Sequence, residues 1–196
     1  MLRLGRRAVR GFTLIELMIG LTGLGILIMI GLPAMNNWLQ NTQIRTRAET
    51  TFAGLQLARA EALKRNGNVR FQLVDSLTSG CVLTPNGRSW IVSILDPAGS
   101  CDAAPSDPGA QIIQKNDGSN GSPNTNLAST VSLLTFNGLG RTSGAASATI
   151  DITNPVGGAC GTAPGTMRCM RIVVTAGGQM RMCDPAVTDA TDPRYC

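Results

Sequence analysis

A long run without charged side chains constrains this chain more than any other feature. Residues 17–44 carry no charge, and the apolar segment begins at Phe12, just after a stretch that holds four arginines. As a helix, the 24 residues of segment 12–35 span ~36 Å, which is enough to cross a bilayer. We therefore predict one transmembrane helix over residues 12–35. Positive charge stays on the cytoplasmic side of a membrane, so the rest of the chain is expected in the periplasm or beyond.

Glu16 is the one charged residue in this segment. A carboxylate at membrane depth costs ~2.5–3.5 kcal/mol at a helix centre, so it usually has a partner. Cleavage after Gly11 would give Phe12 a new α-amino group one helical turn from Glu16. A plain single-pass anchor is the alternative, but it explains neither Glu16 nor the glycine at the boundary between basic and apolar residues.

The stretch from Gly11 to Glu16, read as Gly-Phe-Thr-Leu-Ile-Glu, resembles the type IV prepilin signature. The resemblance implies that residues 1–11 are a leader, that a prepilin peptidase cuts between Gly11 and Phe12, and that the new terminus at Phe12 is methylated. It also implies that Glu16 neutralises the Phe12 amine of its own or a neighbouring subunit during assembly. Residues 56–62, 136–141, 181–185 and 192–196 are similar to the FimT/GspH-type family of minor pilins and pseudopilins.

Beyond Pro33 the pattern becomes that of an amphipathic helix, predicted over residues 36–67. Apolar residues recur at steps of three and four, namely Ile44, Ala48, Phe52, Leu55, Ala58 and Ala62. Charged residues occupy much of the rest, namely Arg45, Arg47, Glu49, Arg59, Glu61 and Arg65. Gly67 is a natural residue for the position just after a helix. One nearly continuous helix from about residue 12 to about residue 66 is therefore expected.

Residues 68–196 are predicted to form a β-rich head. Short runs rich in β-branched and apolar residues indicate strands at residues 69–74, 89–95, 131–136, 149–153, 171–175 and 179–182, with a further short strand at 111–115. Asn137-Gly138 and Gly177-Gly178 are typical of turns. Residues 97–129 are rich in Pro, Gly, Ser and Asn and are expected to form a surface excursion. The resemblance implies an α+β, pilin-like fold in which the long helix packs on this head.

Six cysteines and no histidine argue against a zinc site and for disulfides in an exported domain. Fifteen pairings are possible, and the nearest-neighbour set is preferred because each bridge closes a Pro/Gly-rich loop. Each bridge would stabilise the fold by ~2–4 kcal/mol. That set is Cys81–Cys101, Cys160–Cys169 and Cys183–Cys196. The sequence contains no nucleophile elbow, P-loop or histidine base. We therefore expect no enzymatic activity, metal or cofactor.

The formal net charge of +5 does not by itself indicate nucleic acid. Removal of the leader would leave 13 basic and 12 acidic side chains. The resemblance implies a minor type IV pilin that primes or caps a filament, with the prepilin peptidase, other pilins and the inner membrane as partners. The alternative within the same family is a GspH-type pseudopilin of a type II secretion system.

Some members of the resembled family bind double-stranded DNA through a C-terminal G-R-x-R element. The matching positions here are Gly178, Gln179, Met180 and Arg181, so the first arginine is missing, and fewer phosphate contacts weaken such binding. The candidate DNA-binding residues are Arg141, Arg168, Arg171, Arg181 and Arg194. The alternative is that these arginines are solvated side chains paired with Asp184, Asp189 and Asp192.

Overall fold

The computed structural model describes residues 12–105, 111–144, 147–163 and 166–196, and the side chains of all of these except residues 30–34. The chain divides into two compact units, Met1–Asn36 and Asn37–Cys196. Its first element is the helix α1, Leu14–Arg65, which continues through Pro33. The predicted helix from about residue 12 to about residue 66 is confirmed to within two residues at either end.

The C-terminal end of α1 differs from the prediction in one detail. Asn66, not Gly67, takes the left-handed conformation that ends the helix, with φ at 48°. The amide of Gly67 donates to the carbonyl of Ala62 at 3.2 Å, and the amide of Asn66 donates to Leu63 at 3.3 Å. This is the hydrogen-bond pattern of a Schellman motif, in which asparagine is the usual substitute for glycine.

The head contains two antiparallel sheets that are built from nine strands within the described residues. Five strands form the first sheet in the order β3-β2-β1-β5-β6, and four form the second in the order β4-β7-β8-β9. The strands are β1 Val69–Val74, β2 Ser89–Ser93, β3 Ile112–Asn116, β4 Asn126–Ser129, β5 Leu133–Phe136, β6 Thr142–Ser143, β7 Ser147–Thr153, β8 Met170–Thr175 and β9 Met180–Cys183.

Every predicted strand is present, with ends that shift by up to two residues. Two strands, β4 and β6, were not predicted. β4 falls inside the stretch that was predicted to be a surface excursion, so that prediction is wrong for residues 126–129. Its residues have weak strand propensity except for Leu127, which is buried and pairs with Ile152 of β7. Pairing with a neighbouring strand therefore outweighs local propensity here. Residues 106–110 of the same stretch lie outside the described residues.

The predicted apolar face of the helix is confirmed. Ile44, Ala48, Leu55, Ala58 and Ala62 are fully buried in one cluster with the inner faces of both sheets, and Phe52 is partly buried against it. Burial of such side chains is the main source of stability in a head of this size, at ~25 cal/mol per Å² of apolar surface. A second cluster lies on the other face of the first sheet, where the bridge between Cys81 and Cys101 packs on Val74, Ile91 and Ile112.

Arg47 was expected among the residues that face solvent, and that expectation is wrong. Its side chain is buried and donates hydrogen bonds to the carbonyl of Arg88 and to Oδ1 of Asn116. Burial lowers the pKa of Arg47 to about 10, and the charge of Asp117 opposes that shift. Arg47 is buried because it lies three residues after Ile44 and one before Ala48, which places it on the buried face of the helix.

Three disulfides are present, and they join Cys81 to Cys101, Cys160 to Cys169 and Cys183 to Cys196. These are the nearest-neighbour pairs that were preferred from the sequence. The last bridge fastens residues 184–196, hereafter the tail, to the end of β9. The tail is also held by the amide of Asp184, which donates to the carbonyl of Arg194 at 2.8 Å.

Candidate functional site

The N-terminal end of α1 is organised around Thr13 and Glu16. Glu16 Oε2 accepts hydrogen bonds from the Thr13 amide at 3.2 Å and from the Thr13 hydroxyl at 3.1 Å, and the Glu16 amide donates back to that hydroxyl at 3.3 Å. Reciprocal bonds of this kind form a capping box, which satisfies amides that the first turn of a helix leaves unpaired. This role of Glu16 was not predicted, although the spacing Thr-x-x-Glu was visible in the sequence.

Every described side chain from residue 12 to residue 29 is exposed. The set includes Phe12 at 87% and Met29 at 81% of full exposure, and it contains many large apolar side chains. Gly11 lies outside the described residues. No helix in the described part of the chain has both the length and the apolar character that crossing a membrane requires.

Among the five arginines predicted to bind DNA, Arg171 is engaged in an ion pair. Its guanidinium binds the carboxylate of Asp151 at two points, Nε to Oδ1 at 2.5 Å and Nη2 to Oδ2 at 2.9 Å. The two residues face each other across strands β7 and β8. The hydrogen bond to Asp151 raises the pKa of Arg171. Its charge is therefore largely balanced on the outer face of the second sheet.

Arg181 lies on the same outer face, opposite Val173, and it is held by the tail. Its Nη1 donates to the carbonyl of Tyr195 at 3.3 Å, and its Nη2 donates to the carbonyl of Cys196. Arg194 pairs with Asp192 two residues before it, with Nη2 at 2.6 Å from Oδ2. That contact lowers the pKa of Asp192 to about 2. The expected pairing with tail carboxylates is thus found for Arg194, whereas Arg171 uses Asp151 instead.

The remaining two arginines lie elsewhere. Arg168 is half-buried beside α1, where its amide donates to Oδ1 of Asn41 at 2.7 Å. Arg141 is exposed at the turn between β5 and β6. Within the described residues, neither guanidinium has a side-chain partner. Arg171 and Arg181 therefore lie on the outer face of the second sheet, Arg168 and Arg194 line the same cavity beside α1, and Arg141 lies at a turn of the first sheet.

The glycine of the G-x-x-R element has a structural role. Gly178 has φ at 74°, and a Cβ atom there would overlap the carbonyl oxygen of Gly140. That same carbonyl accepts a hydrogen bond from Nε of Arg59 on α1 at 3.1 Å. A Cβ on Gly138 would collide with Asn66. Both glycine-containing turns therefore pack closely against the C-terminal end of α1, which gives a packing reason for glycine at these two positions.

A family model described as type II transport protein GspH matches residues 47–178. The chain belongs to this family. Two of the solved structures that are similar to it are a minor pilin and a minor pseudopilin. The type IV minor pilin FimU of Pseudomonas aeruginosa has a TM-score of 0.52 at 18% identity, and the match covers 76% of this chain and 93% of that one. The minor pseudopilin EpsH of the Vibrio cholerae type 2 secretion system has a TM-score of 0.47 at 14% identity, covering 74% and 99%. No curated protein sequence matches the chain.

The likeness to FimU shows that this GspH-family chain has the pilin-like fold, a long helix packed on an antiparallel head with disulfides. Pilins and pseudopilins of this family are structural proteins. The matched segment begins at Arg47, so it covers neither Phe12 nor Glu16. No group of histidine, cysteine or acidic side chains in the described regions could hold a metal ion.

One surface of this GspH-family head was not predicted from the sequence, a cavity of about 590 Å³ beside α1. Helix residues Trp38 and Arg45 form one wall, and Met182, Arg194 and Arg168 contribute to the others. Trp38 is 63% exposed although it is one of only two tryptophans in the chain. Tryptophan and arginine are enriched among the residues that dominate binding energy at interfaces, and Trp38 was the signal available in the sequence.

Proposed function

We propose that this chain is a minor subunit of a type IV pilus, or of the pseudopilus of a type II secretion system. In this proposal it enters the filament through the first half of α1 after residues 1–11 have been removed. Membership of the GspH family supports a pilin or pseudopilin role. The single observation that carries the route of assembly is the exposure of residues 12–29.

An apolar surface of this extent is rarely left uncovered in a functioning protein. We propose that the inner membrane covers it before assembly, with the head in the periplasm, and that helices of other pilins cover it afterwards. No contact within the described residues requires glycine at Gly20, Gly23 or Gly25, since a Cβ there would meet no described atom within 4 Å, so these positions are available for close approach of another helix. Small residues let helix backbones approach each other where lipid supplies no hydrophobic drive for association.

Processing by a prepilin peptidase between Gly11 and Phe12 is the second part of the proposal. The helix begins at Leu14, so Phe12 and Thr13 precede it. A peptide bond before the first helical turn is easier for a peptidase to bind than one inside it. Replacement of Gly11 by valine is expected to block cleavage and N-methylation of Phe12. A mature-sized product from Gly11→Val would contradict this step.

Glu16 can act in two ways, and one substitution separates them. As a capping partner it only needs a side-chain oxygen, and glutamine serves that purpose equally well. As the counter-charge of the Phe12 amine it must be ionised, because a lone ammonium in an apolar bundle is strongly destabilising. We infer that the second role is the one that matters for assembly.

The test is Glu16→Gln, followed by immunoblotting of sheared filaments and of the membrane fraction. We expect normal leader removal and a loss of filament incorporation of about a hundredfold or more, since an uncompensated buried charge costs about 3 kcal/mol or more. Thr13→Val, which disrupts the capping box and keeps the charge, is the matched control and should assemble. Normal assembly of Glu16→Gln would overturn the counter-charge role.

The two machines can be told apart in the native host by deletion of the gene. Loss of surface pili with normal protein secretion supports the type IV pilus, and the reverse supports the pseudopilus. DNA binding stays a prediction outside this proposal, because Arg171, Arg181 and Arg194 already have partners. Gel-shift of the purified chain at two salt concentrations, with Arg168→Gln and Arg141→Gln for comparison, would test it.

A further inference from the structure

Strand β9 forms one edge of the second sheet, and half of its backbone points away from the sheet. At the turn before it, the amide of Gly178 donates to Thr175 at 2.8 Å, and the amide of Thr175 donates to Gln179 at 2.9 Å. Hydrogen-bonded and non-bonded pairs alternate along an antiparallel ladder. Met180 and Met182, opposite Val174 and Ile172, therefore stand in non-bonded pairs.

The backbone N–H and C=O groups of Met180 and Met182 thus project from the open edge. Asp184 is the next alternate residue whose backbone groups project from this edge, and its amide donates to the carbonyl of Arg194 in the tail. Across the regions that the structure describes, nothing bonds to the outward backbone groups of Met180 or Met182. Unpaired groups at this spacing are a template for another strand.

The other edges of the two sheets each carry a contact or an irregularity. At β6, the amide of Thr142 bonds to Ala176, and at β4 the amide of Ser129 bonds to Pro85. β3 has a register shift opposite Val92, and its Lys115 donates to the carbonyls of Cys101, Asp102 and Ala103. β9 is regular over its length, and its two alternate residues Met180 and Met182 present unpaired backbone groups within the described residues.

Two cavities lie between this edge and α1. The larger, about 590 Å³, is bounded by Trp38, Arg168 and Met182, and the smaller, about 320 Å³, by Leu63 and Met180. Met182 lines the larger cavity and Met180 the smaller, so a strand added to β9 would place inward side chains, two residues apart, beside these two methionines. The edge of β9 and the two cavities together therefore offer backbone pairing and separate pockets for alternate side chains, which is the usual form of strand recognition.

The charges around the larger cavity indicate what the added strand carries. Arg45 pairs with Glu49 at 2.8 Å, and Arg194 pairs with Asp192. Glu49 and Asp184 are the acidic residues on its wall. Arg168 is the cation there whose guanidinium has no side-chain partner within the described residues. A carboxylate on the incoming strand would balance it.

We propose that the open edge of β9 binds an extended segment of another protein by strand addition. The segment carries apolar side chains at alternate positions, which enter the two cavities, and an acidic residue that pairs with Arg168. This binding surface is separate from the N-terminal half of α1, so it does not depend on leader removal or on Glu16.

The probe is the acetylated and amidated heptapeptide Thr-Val-Thr-Leu-Thr-Glu-Thr, titrated into the full chain in detergent micelles. We expect a dissociation constant below about 1 mM and slower amide hydrogen exchange at Met180 and Met182. The same peptide with N-methylated inward amides, or with lysine in place of glutamate, should not bind.

Met182→Pro removes one outward N–H without touching the ladder to β8, as proline on an edge strand permits. It should weaken binding about tenfold, as should Arg168→Gln, which removes a charged hydrogen bond. Met182→Leu and Arg65→Gln are the matched controls and should bind normally. The unfolding midpoint of each variant in urea checks that the head stays folded.

The absence of binding at about 10 mM peptide, roughly tenfold above the expected constant, would overturn the proposal. Equal binding of the N-methylated peptide would overturn it too, because backbone pairing would then play no part. A concentration-dependent dimer that Met182→Pro abolishes, with no peptide binding, would assign the edge to a second copy of this chain and contradict a different partner.

Discussion

The two halves of α1 contain similar apolar residues, but these residues are exposed in the first half and buried along one face in the second. From residue 37 onward, one face of the helix is buried against both sheets, with Leu55 and Ala58 at 0% exposure. Before residue 30, every described side chain is exposed, with Leu24 at 54% and Ile26 at 60%. The second half therefore obtains its stability within the chain, whereas the first half can obtain it only from something else.

This contrast explains where each half places its charge. The second half has a buried apolar face, and ion pairs lie outside that face, such as Arg65 with Glu61 at 2.7 Å. The first half has no polar face, and its single carboxylate closes a capping box at the start. A lone helix gains little from propensity alone, so the absence of a polar face favours a partner that surrounds it on all sides.

The largest expected difference between the halves comes from one substitution made in both. Leu55→Ala removes a fully buried side chain and should lower the free energy of unfolding by about 2–5 kcal/mol. Leu24→Ala should change it by less than about 0.5 kcal/mol, because that side chain is exposed. Urea unfolding of the full chain in micelles, followed by tryptophan fluorescence, to which the buried Trp90 contributes, measures both. Equal effects would break the comparison.

A second, smaller effect tests how the head fixes the end of α1. Gly178→Ala should cost about 3 kcal/mol, because a Cβ there meets the Gly140 carbonyl and the backbone is left-handed. Gly144 is the matched control, because its φ is 89° and a Cβ there would meet no atom of the described residues within 4 Å. Gly144→Ala should cost only about 1–2 kcal/mol. The same urea curves report both variants, and equal costs would contradict the packing role.

The smallest effect concerns Arg47, a cation on the buried face of α1. Arg47→Gln should cost about 1–3 kcal/mol, since it leaves the Arg88 carbonyl and Asn116 without their buried donors. Arg65→Gln removes an arginine of the exposed face and should cost less than about 1 kcal/mol. Thermal unfolding distinguishes the two. A neutral Arg47→Gln would mean that its burial contributes nothing to the attachment of the helix to the head.

The sequence predicted the elements whose pattern is repeated over many residues. The 3.6-residue period made the buried face of α1 visible, and the loop between each cysteine pair suggested the disulfides. β4 could not be predicted, because Asn126 and Ser129 have poor strand propensity and the strand exists through pairing with β7. β6 has only two residues, which is too short for any pattern.

The candidate site was less predictable than the fold for a physical reason. Whether an arginine is free depends on which carboxylate or carbonyl the fold brings to it, and this is a property of distant residues. Asp151 reaches Arg171 from the neighbouring strand, and the tail reaches Arg181 from 14 residues away. The open edge of β9 likewise follows from hairpin registry, which the turn sequence alone does not specify.

The central claim is that the first half of α1 is released from a leader and then covered by other molecules. Intact mass spectrometry of the protein purified from its native host tests this most directly. The account predicts a chain that begins at methylated Phe12 and lacks six thiol hydrogens, because all six cysteines are oxidised. A mass that includes Met1, with Phe12 internal, would contradict it.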